Sequence, residues 1–470
     1  MLFTAPLFVW FFLAVLLSSA RARSLGVRKA ILLGASYLFY ASWSFPEGLY
    51  ILPLLVCSSL LDYALGAWLY RHPHGPPLRR RLALALSLTL NLGMLGYFKY
   101  IGFGREILAD FSAFFELGLQ LKALEPYLPL GISFFTFQSM SYTIDAYRRQ
   151  GAPYRSAFDF LLFVAFFPQL IAGPIVRAET FRAQLDAPPR TSWLRLDRGL
   201  RLFALGALLK IVLADNLAGS VDALYSQPER LSRGDAWFAF YGFGAQIYGD
   251  FAGYSLMAIG LAHTLGFALP ENFDRPYLAG DIRDFWRRWH ITLSTWLRDY
   301  LYIPLGGSRR GPARAILALF VTMSLGGLWH GASWSFVLWG SLHGAWLGLH
   351  RVWSRRIHLR SRPARFLGWL GTLHGVLLLW ILFRAPTLGV AAKLLERLLW
   401  GPAGRLHAES HEMVPFLAAF GLWLFAERLG RLETRVDRLR PPAAAALLGA
   451  AAVLVACFHS GGVSFIYFAF

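Results

Sequence analysis

The chain has 470 residues, of which 56% are hydrophobic and 16% charged. Its 46 Lys and Arg exceed its 27 Asp and Glu, a net charge of +19. The basic residues fall in short clusters between apolar runs: Arg21, Arg23, Arg28 and Lys29; Arg79 to Arg81; Arg309, Arg310 and Arg314; Arg351, Arg355 and Arg356. That is the positive-inside signature of a multi-pass membrane protein, and it argues against a nucleic-acid binder. The two cysteines, Cys57 and Cys457, lie in apolar segments and give neither a disulfide framework nor a metal-ligand spacing.

In chain order, TAPLFVWFFLAVLLSSA (Thr4 to Ala20) is long enough for a helix to cross a hydrocarbon core of roughly 30 Å. Its basic cluster follows rather than precedes it, which predicts a first span with an outer N-terminus rather than a cleaved signal peptide. Spans are expected at 31–45 and 49–69, around Pro46-Glu47-Gly48, then at 82–98 and 128–146. The run FLLFVAFFPQLIAGPIV (Phe160 to Val176) breaks the alternation of basic loops, and Pro168 and Gly173-Pro174 predict a re-entrant or broken helix. Such backbone survives at membrane depth only where protein or a cavity covers it. Further spans are expected near 202–224, 236–266, 315–329, 331–350, 366–383, 413–427 and 442–458. The reading is an all-α polytopic membrane protein of about eleven spans, with re-entrant and interfacial helices.

The segment DIRDFWRRWHITLSTWLRDYLYIPLGG (Asp281 to Gly307) reads as one amphipathic helix. Trp286, Trp289, His290, Leu293, Trp296, Leu297 and Tyr300 share a face opposite Arg287, Arg288 and Arg298. An interfacial anchor explains the tryptophans and arginines. It does not explain a histidine on the apolar face.

His330 lies in SLGGLWHGASWSFVLWG (Ser324 to Gly340), with Gly326, Gly327 and Gly331 leaving space and Trp329 and Trp334 expected as walls. An ionisable ring inside a membrane segment is a functional hypothesis by default, and the residues alone leave catalysis and a structural role both open. Neutral imidazole is a competent general base at pH 7. The chain has no GxSxG elbow, HExxH or P-loop. Asp62 and Asp250 are the clearest acidic residues within spans. A transporter or flippase, or a structural subunit of a secretion complex, are the competing classes.

Five stretches carry a resemblance: Leu128 to Arg148, Phe166 to Arg177, Arg275 to Arg309, Leu325 to Gly344, and FIYFAF at 465–470. Over nearly its whole length the chain resembles the membrane-bound O-acyltransferases, most closely the alginate O-acetyltransferase branch. The resemblance implies a single transmembrane domain over 1–470, with core motifs at 128–350 and an acyl-relay motif at 465–470, folded around a central tunnel. It implies transfer of acetyl from cytoplasmic acetyl-CoA, with no permanently bound cofactor or metal, to a polysaccharide such as alginate outside a bacterial inner membrane. It also implies a periplasmic acetyltransferase- or esterase-like partner. His330 matches the family's essential histidine, His290 its second functional histidine, and Tyr467 the tyrosine of its closing hexapeptide, FIYFQF, from which Ala469 departs. Arg287, Arg288, Arg309 and Arg310 are then candidates for the coenzyme A phosphates, with positive-inside anchoring the alternative for each.

Overall fold

The computed structural model describes residues 2–42, 46–119, 124, 126–186, 192–354, 361–459 and 466. Among these residues the secondary structure is entirely helical. The chain forms two compact units, one of residues 1–199 with 261–270, the other of residues 200–260 with 271–470.

The first unit is built on α1 (Pro6–Arg21), α2 (Leu25–Ala41), α3 (Glu47–Arg71), α4 (Pro77–Leu95) and α5 (Ile101–Phe114), the last two joined by a π-helical turn at Gly96–Tyr100. They are followed by α6 (Ile132–Arg148), α7 (Ala157–Ala165), α8 (Phe167–Leu170) and α9 (Ala178–Asp186). Two buried polar groups tie the helices together. Asp62 of α3 accepts from Ser87 at 2.5 Å and Asn91 at 2.8 Å on α4, and from Thr143 of α6 at 3.4 Å. Arg80, in a cluster expected to sit in solvent, is 5% exposed. It donates to Leu69 O and His72 O at the end of α3 and to Tyr147 O at the end of α6, at 2.9, 2.6 and 2.7 Å. Helix C-termini leave carbonyls without intrahelical partners, and one guanidinium satisfies two ends. The run at 160–176 is broken as its prolines require: α7 stops at Phe166, and Pro168 sits in the first turn of α8, where its missing N–H costs nothing. The freed N–H of Phe167 donates to Ser36 Oγ at 3.1 Å.

The second unit takes up α10 (Trp193–Ala207), which runs through a π-helical turn at Leu208–Ala214 into α11 (Asp215–Ser226), and then α12 (Arg233–Thr264). Gly206 and Gly253 bring α10 and α12 into backbone contact: a Cβ on Gly206 would lie 2.5 Å from Gly253 O. Then come α13 (Ile282–Arg288), α14 (Ile291–Leu297), α15 (Pro312–His330), α16 (Trp334–Trp353), α17 (Arg362–Arg384), α18 (Leu388–Trp400), α19 (Ala408–Leu429), α20 (Leu432–Asp437) and α21 (Pro441–Phe458). Among the described residues, six helical stretches are long and apolar enough to cross a membrane: 47–71, 77–114, 193–226, 312–330, 362–384 and 441–458.

The segment 281–307 departs from the single helix its periodicity predicts. It is α13, a break at Trp289-His290, α14, and a π-helical turn at Arg298–Tyr302. His290 takes a left-handed backbone, φ 42° and ψ 54°. Residues 272–274 force the break. Asn272 O takes the N–H of Ile291 at 2.9 Å, and Asp274 N–H takes the carbonyl of Arg288 at 2.9 Å. Both groups are thereby drawn into bonds a straight helix would not make. Tertiary bonding overrides local periodicity here.

Candidate active site

His330 is the last residue of α15, and Gly331 turns the chain out of the helix with φ −157°. The hairpin of α15 and α16 closes tightly because Gly327 and Gly340 face each other. A Cβ on Gly327 would lie 2.2 Å from Phe336 O, and one on Gly340 2.2 Å from Met323 O. That close approach carries His330 into the unit's interior, where it is 4% exposed. Its ring meets Trp339 at 5.2 Å and Phe383 of α17 at 5.3 Å, both edge-on, with Trp329 at 5.0 Å. Trp334, expected as a wall, is 53% exposed at the start of α16, and Trp339 takes that place, stacked on Trp380 at 5.6 Å.

The His290 ring lies 6.4 Å from that of His330, centroid to centroid, and is fully buried. Its Nδ1 lies 3.1 Å from Asn272 Oδ1. The same oxygen accepts the Thr292 N–H at 3.3 Å and the Thr292 hydroxyl at 2.8 Å. A backbone N–H can only donate, so the Asn272 atom at this junction is the oxygen and His290 Nδ1 carries the proton. Asn272 Nδ2 in turn donates to Ser255 Oγ at 3.2 Å. Nε2 of His290 is therefore the unprotonated nitrogen. It is buried and makes no hydrogen bond among the described residues. Burial disfavours the imidazolium and lowers the His290 pKa from 6.5 to about 3. The left-handed backbone of His290, uncommon for a residue with a Cβ, is what turns this ring inward from the break between α13 and α14.

A cavity of about 650 Å³ opens between the 283–308 segment and helices α15 and α16. Its polar wall holds Arg283, Arg287, Arg298, His350 and Arg351, with Ser294, Thr295 and Tyr302, while Leu297, Leu319 and Met323 line its apolar part. Of the four arginines singled out in the sequence, Arg287 lines the cavity. Arg288 pairs with Asp284 at 2.9 Å, and Arg309 and Arg310 lie exposed in the turn after Gly307. Ile291, next to His290, and Met323, two turns before His330, also belong to the wall. Tyr467 lies outside the described residues. His343, buried on α16, accepts from Trp286 Nε1 at 3.3 Å. Sequence reasoning missed Asn272, whose only signal is its place before a broken helix. It also missed Lys210, a cation in the apolar run LLKIVLAD.

A buried pair of imidazoles with one bare nitrogen, beside a cation-lined cavity, suits proton abstraction from a hydroxyl attacking an activated acyl group. The family model for the membrane-bound O-acyltransferases matches residues 128–389, which span α6 to α17 and both histidines. The chain belongs to that family. It is 40% identical over 406 residues to the probable alginate O-acetylase AlgI of Pseudomonas putida, covering 84% of this chain and 79% of the relative. It is 38% identical over 430 residues to the peptidoglycan O-acetyltransferase of Helicobacter pylori, again covering 84% and 79%. It is 31% identical over 242 residues to the teichoic acid D-alanyltransferase of Streptococcus thermophilus, covering 48% of this chain and 58% of the relative. As a membrane-bound O-acyltransferase the protein is an enzyme and a multi-pass membrane protein, which sets aside the transporter and structural-subunit readings.

Proposed function

We propose that this acyltransferase takes acetyl from acetyl-CoA on the cytoplasmic side of a bacterial inner membrane and delivers it for O-acetylation of an envelope polysaccharide. The observation that carries the reading is the pairing of His330 and His290 at 6.4 Å within a buried aromatic pocket, with His290 Nε2 unprotonated and bare. The cation-lined cavity suits a polyanionic donor. Arg283, Arg287, Arg298 and Arg351 match its phosphates in charge, and the apolar part beyond them suits its pantetheine arm. The names of the relatives in Pseudomonas putida and Helicobacter pylori refer to alginate and peptidoglycan, and an acidic or amino-sugar polymer is the acceptor class that follows.

In the step itself an acceptor oxygen attacks the thioester carbonyl carbon while its proton passes to an imidazole. The tetrahedral intermediate collapses, the C–S bond breaks, and the imidazolium returns the proton to the departing thiolate. His330 is the base at the acyl carbon. His290 orients the donor or shares the proton. Tyr467 is the first acceptor: its phenol takes the acetyl and passes it, as a reactive phenyl ester, to a periplasmic partner that acylates the polymer. Replacing His330 with Ala tests the reading. The variant should remain in the membrane at wild-type abundance and leave the polymer without acetyl. Near-normal acetyl content would end the proposal.

A further inference from the structure

Lys210, Asp215 and Asp250 form a charged cluster that the transfer chemistry does not use. They are 2%, 5% and 3% exposed, and Lys210 Nζ lies 2.5 Å from Asp215 Oδ1 and 2.6 Å from Asp250 Oδ1. Well-packed hydrocarbon holds helices together as well as a buried ion pair does, so charge in such a place calls for a further use. The other Asp250 oxygen supplies one. Oδ2 accepts the backbone N–H of Ile466 at 2.6 Å, across 216 residues of chain. A second tie is made by Asn216, the residue after Asp215. Asn216 Nδ2 donates to Phe458 O at 3.1 Å, and also to Ile211 O and Val212 O at 2.8 and 3.2 Å, carbonyls of the π-helical turn. Both ends of the 458–466 stretch are thus held by the residues at and just after that turn, one directly through Asn216 and one through Lys210 and Asp250. π-Helical turns recur at functional sites, where they re-aim side chains.

The bond to Ile466 has a particular character. It holds the main chain, so it fixes the position of the segment whatever its side chains are. A buried N–H needs an acceptor, and a carboxylate that already faces an ammonium is a strong one. Tyr467 is the next residue in the sequence.

We propose that Lys210, Asp215 and Asp250 are positioning residues for the acyl-carrying segment: Asp250, held by Lys210, docks the main chain at Ile466 and thereby sets where the Tyr467 phenol is presented. This rests on the reading of Tyr467 as the acyl carrier. The cluster lies outside the lining of the cavity and has no part in the proton transfer proposed for His330 and His290.

The test uses the full chain in native membranes, with Cys57→Ser and Cys457→Ser removing the native thiols and Phe468→Cys introducing one beside Tyr467. Two variants act on the bond from opposite ends. Ile466→Pro deletes the N–H and leaves the buried cluster intact, with Ile466→Ala as the control that trims the side chain and keeps the N–H. Asp250→Asn removes the charge. Two readouts follow: the rate of maleimide labelling of the introduced thiol, and the acetyl carried by the Tyr467 peptide by mass spectrometry after mixing with acetyl-CoA. Loss of the hydrogen bond should raise labelling about tenfold in Ile466→Pro and lower peptide acetylation about tenfold, with donor affinity unchanged; Asp250→Asn, which loses the charge and keeps an acceptor, should move both in the same direction by less, and Ile466→Ala should move both less than Ile466→Pro. Wild-type labelling and acetylation in Ile466→Pro would overturn the proposal, as would equal effects of the Pro and Ala variants. If the wild-type peptide never carries acetyl while the polymer is acetylated, the carrier reading fails and the positioning role with it. The labelling ratio then still reports whether the tether exists, which separates the two failures.

Discussion

Asn272 is the residue on which the His290 assignment turns, and two replacements probe it from opposite directions. Asn272→Leu keeps the volume and removes the oxygen that accepts His290 Nδ1–H and both Thr292 donors. A fully buried N–H left without an acceptor costs about 1 to 3 kcal/mol, so counting His290 alone the protein should lose about that much stability. The imidazole proton is then free to move to Nε2, which removes the acceptor nitrogen that orients the donor or shares the proton. Catalysis should fall about ten- to a hundredfold, with the Michaelis constant for the donor little changed. Asn272→Asp keeps an acceptor, so the tautomer and most of the stability should survive. The carboxylate beside Nδ1 favours the imidazolium and raises the His290 pKa from about 3. Protonation consumes the bare Nε2, so the fall of activity with falling pH should set in at higher pH in the Asp variant than in the wild type. The assay is acetyl transfer by purified protein between pH 5 and 8, alongside thermal unfolding. Full activity in Asn272→Leu, or a pH profile in Asn272→Asp that superimposes on wild type, would refute the orientation argument.

Three further outcomes follow. His290 has a folded-state pKa of about 3 against 6.5 in water, so the unfolded chain takes up the proton first and stability should fall as pH drops from 6.5 toward 3; His290→Gln should flatten that slope in thermal unfolding measured against pH, and an unchanged slope would count against the buried neutral ring. Gly327→Ala puts a methyl 2.2 Å from Phe336 O, a backbone atom that cannot swing away, and should lower unfolding stability by about 1 to 3 kcal/mol, whereas Gly219→Ala, with open space around it, should not. Arg287→Glu combined with Arg351→Glu should raise the Michaelis constant for acetyl-CoA about tenfold or more with the turnover number nearly unchanged, and more than Arg309→Glu with Arg310→Glu does, since only the first pair lines the cavity; equal effects of the two pairs would point to general surface charge instead.

Much of the helical plan is legible because burial in a membrane protein leaves long apolar runs, and α3, α15, α17 and α21 fall within a few residues of their expected places. Pro168 announced the break at Phe166 because proline suits the first turn of a helix, although Pro53 of α3 and Pro415 of α19 sit inside theirs. What could not be read are the places where charge works inside the protein. Arg80 sits in a triple-arginine cluster that local composition assigns to solvent, yet its guanidinium closes two helix ends that lie 11 and 67 residues away. Lys210 is one polar letter in an apolar run, and only the fold brings Asp250 to it. Trp334 is the nearer of the two to His330 in sequence and the one expected as its neighbour, yet Trp339, brought in by the tight Gly327–Gly340 crossing, packs on the ring.

The case of His290 shows why the site itself was half legible. The spacing of Trp286, Trp289, His290 and Leu293 puts the histidine on the apolar face of a continuous helix, and that reading gets its burial right for the wrong reason. In a continuous helix the His290 N–H and C=O would be locked in the ladder and the ring would point along the apolar stripe with its neighbours. The break instead gives His290 a backbone of its own and sets it at the N-terminal end of α14, where Ile291 and Thr292 still need acceptors. Asn272 supplies one acceptor to each, and the oxygen shared with Thr292 is the one that fixes the His290 proton on Nδ1. The device that ends the helix is therefore the device that leaves Nε2 unprotonated. Periodicity cannot reveal such a coupling, because the decisive partner lies 18 residues earlier in the chain and acts through a single side-chain oxygen.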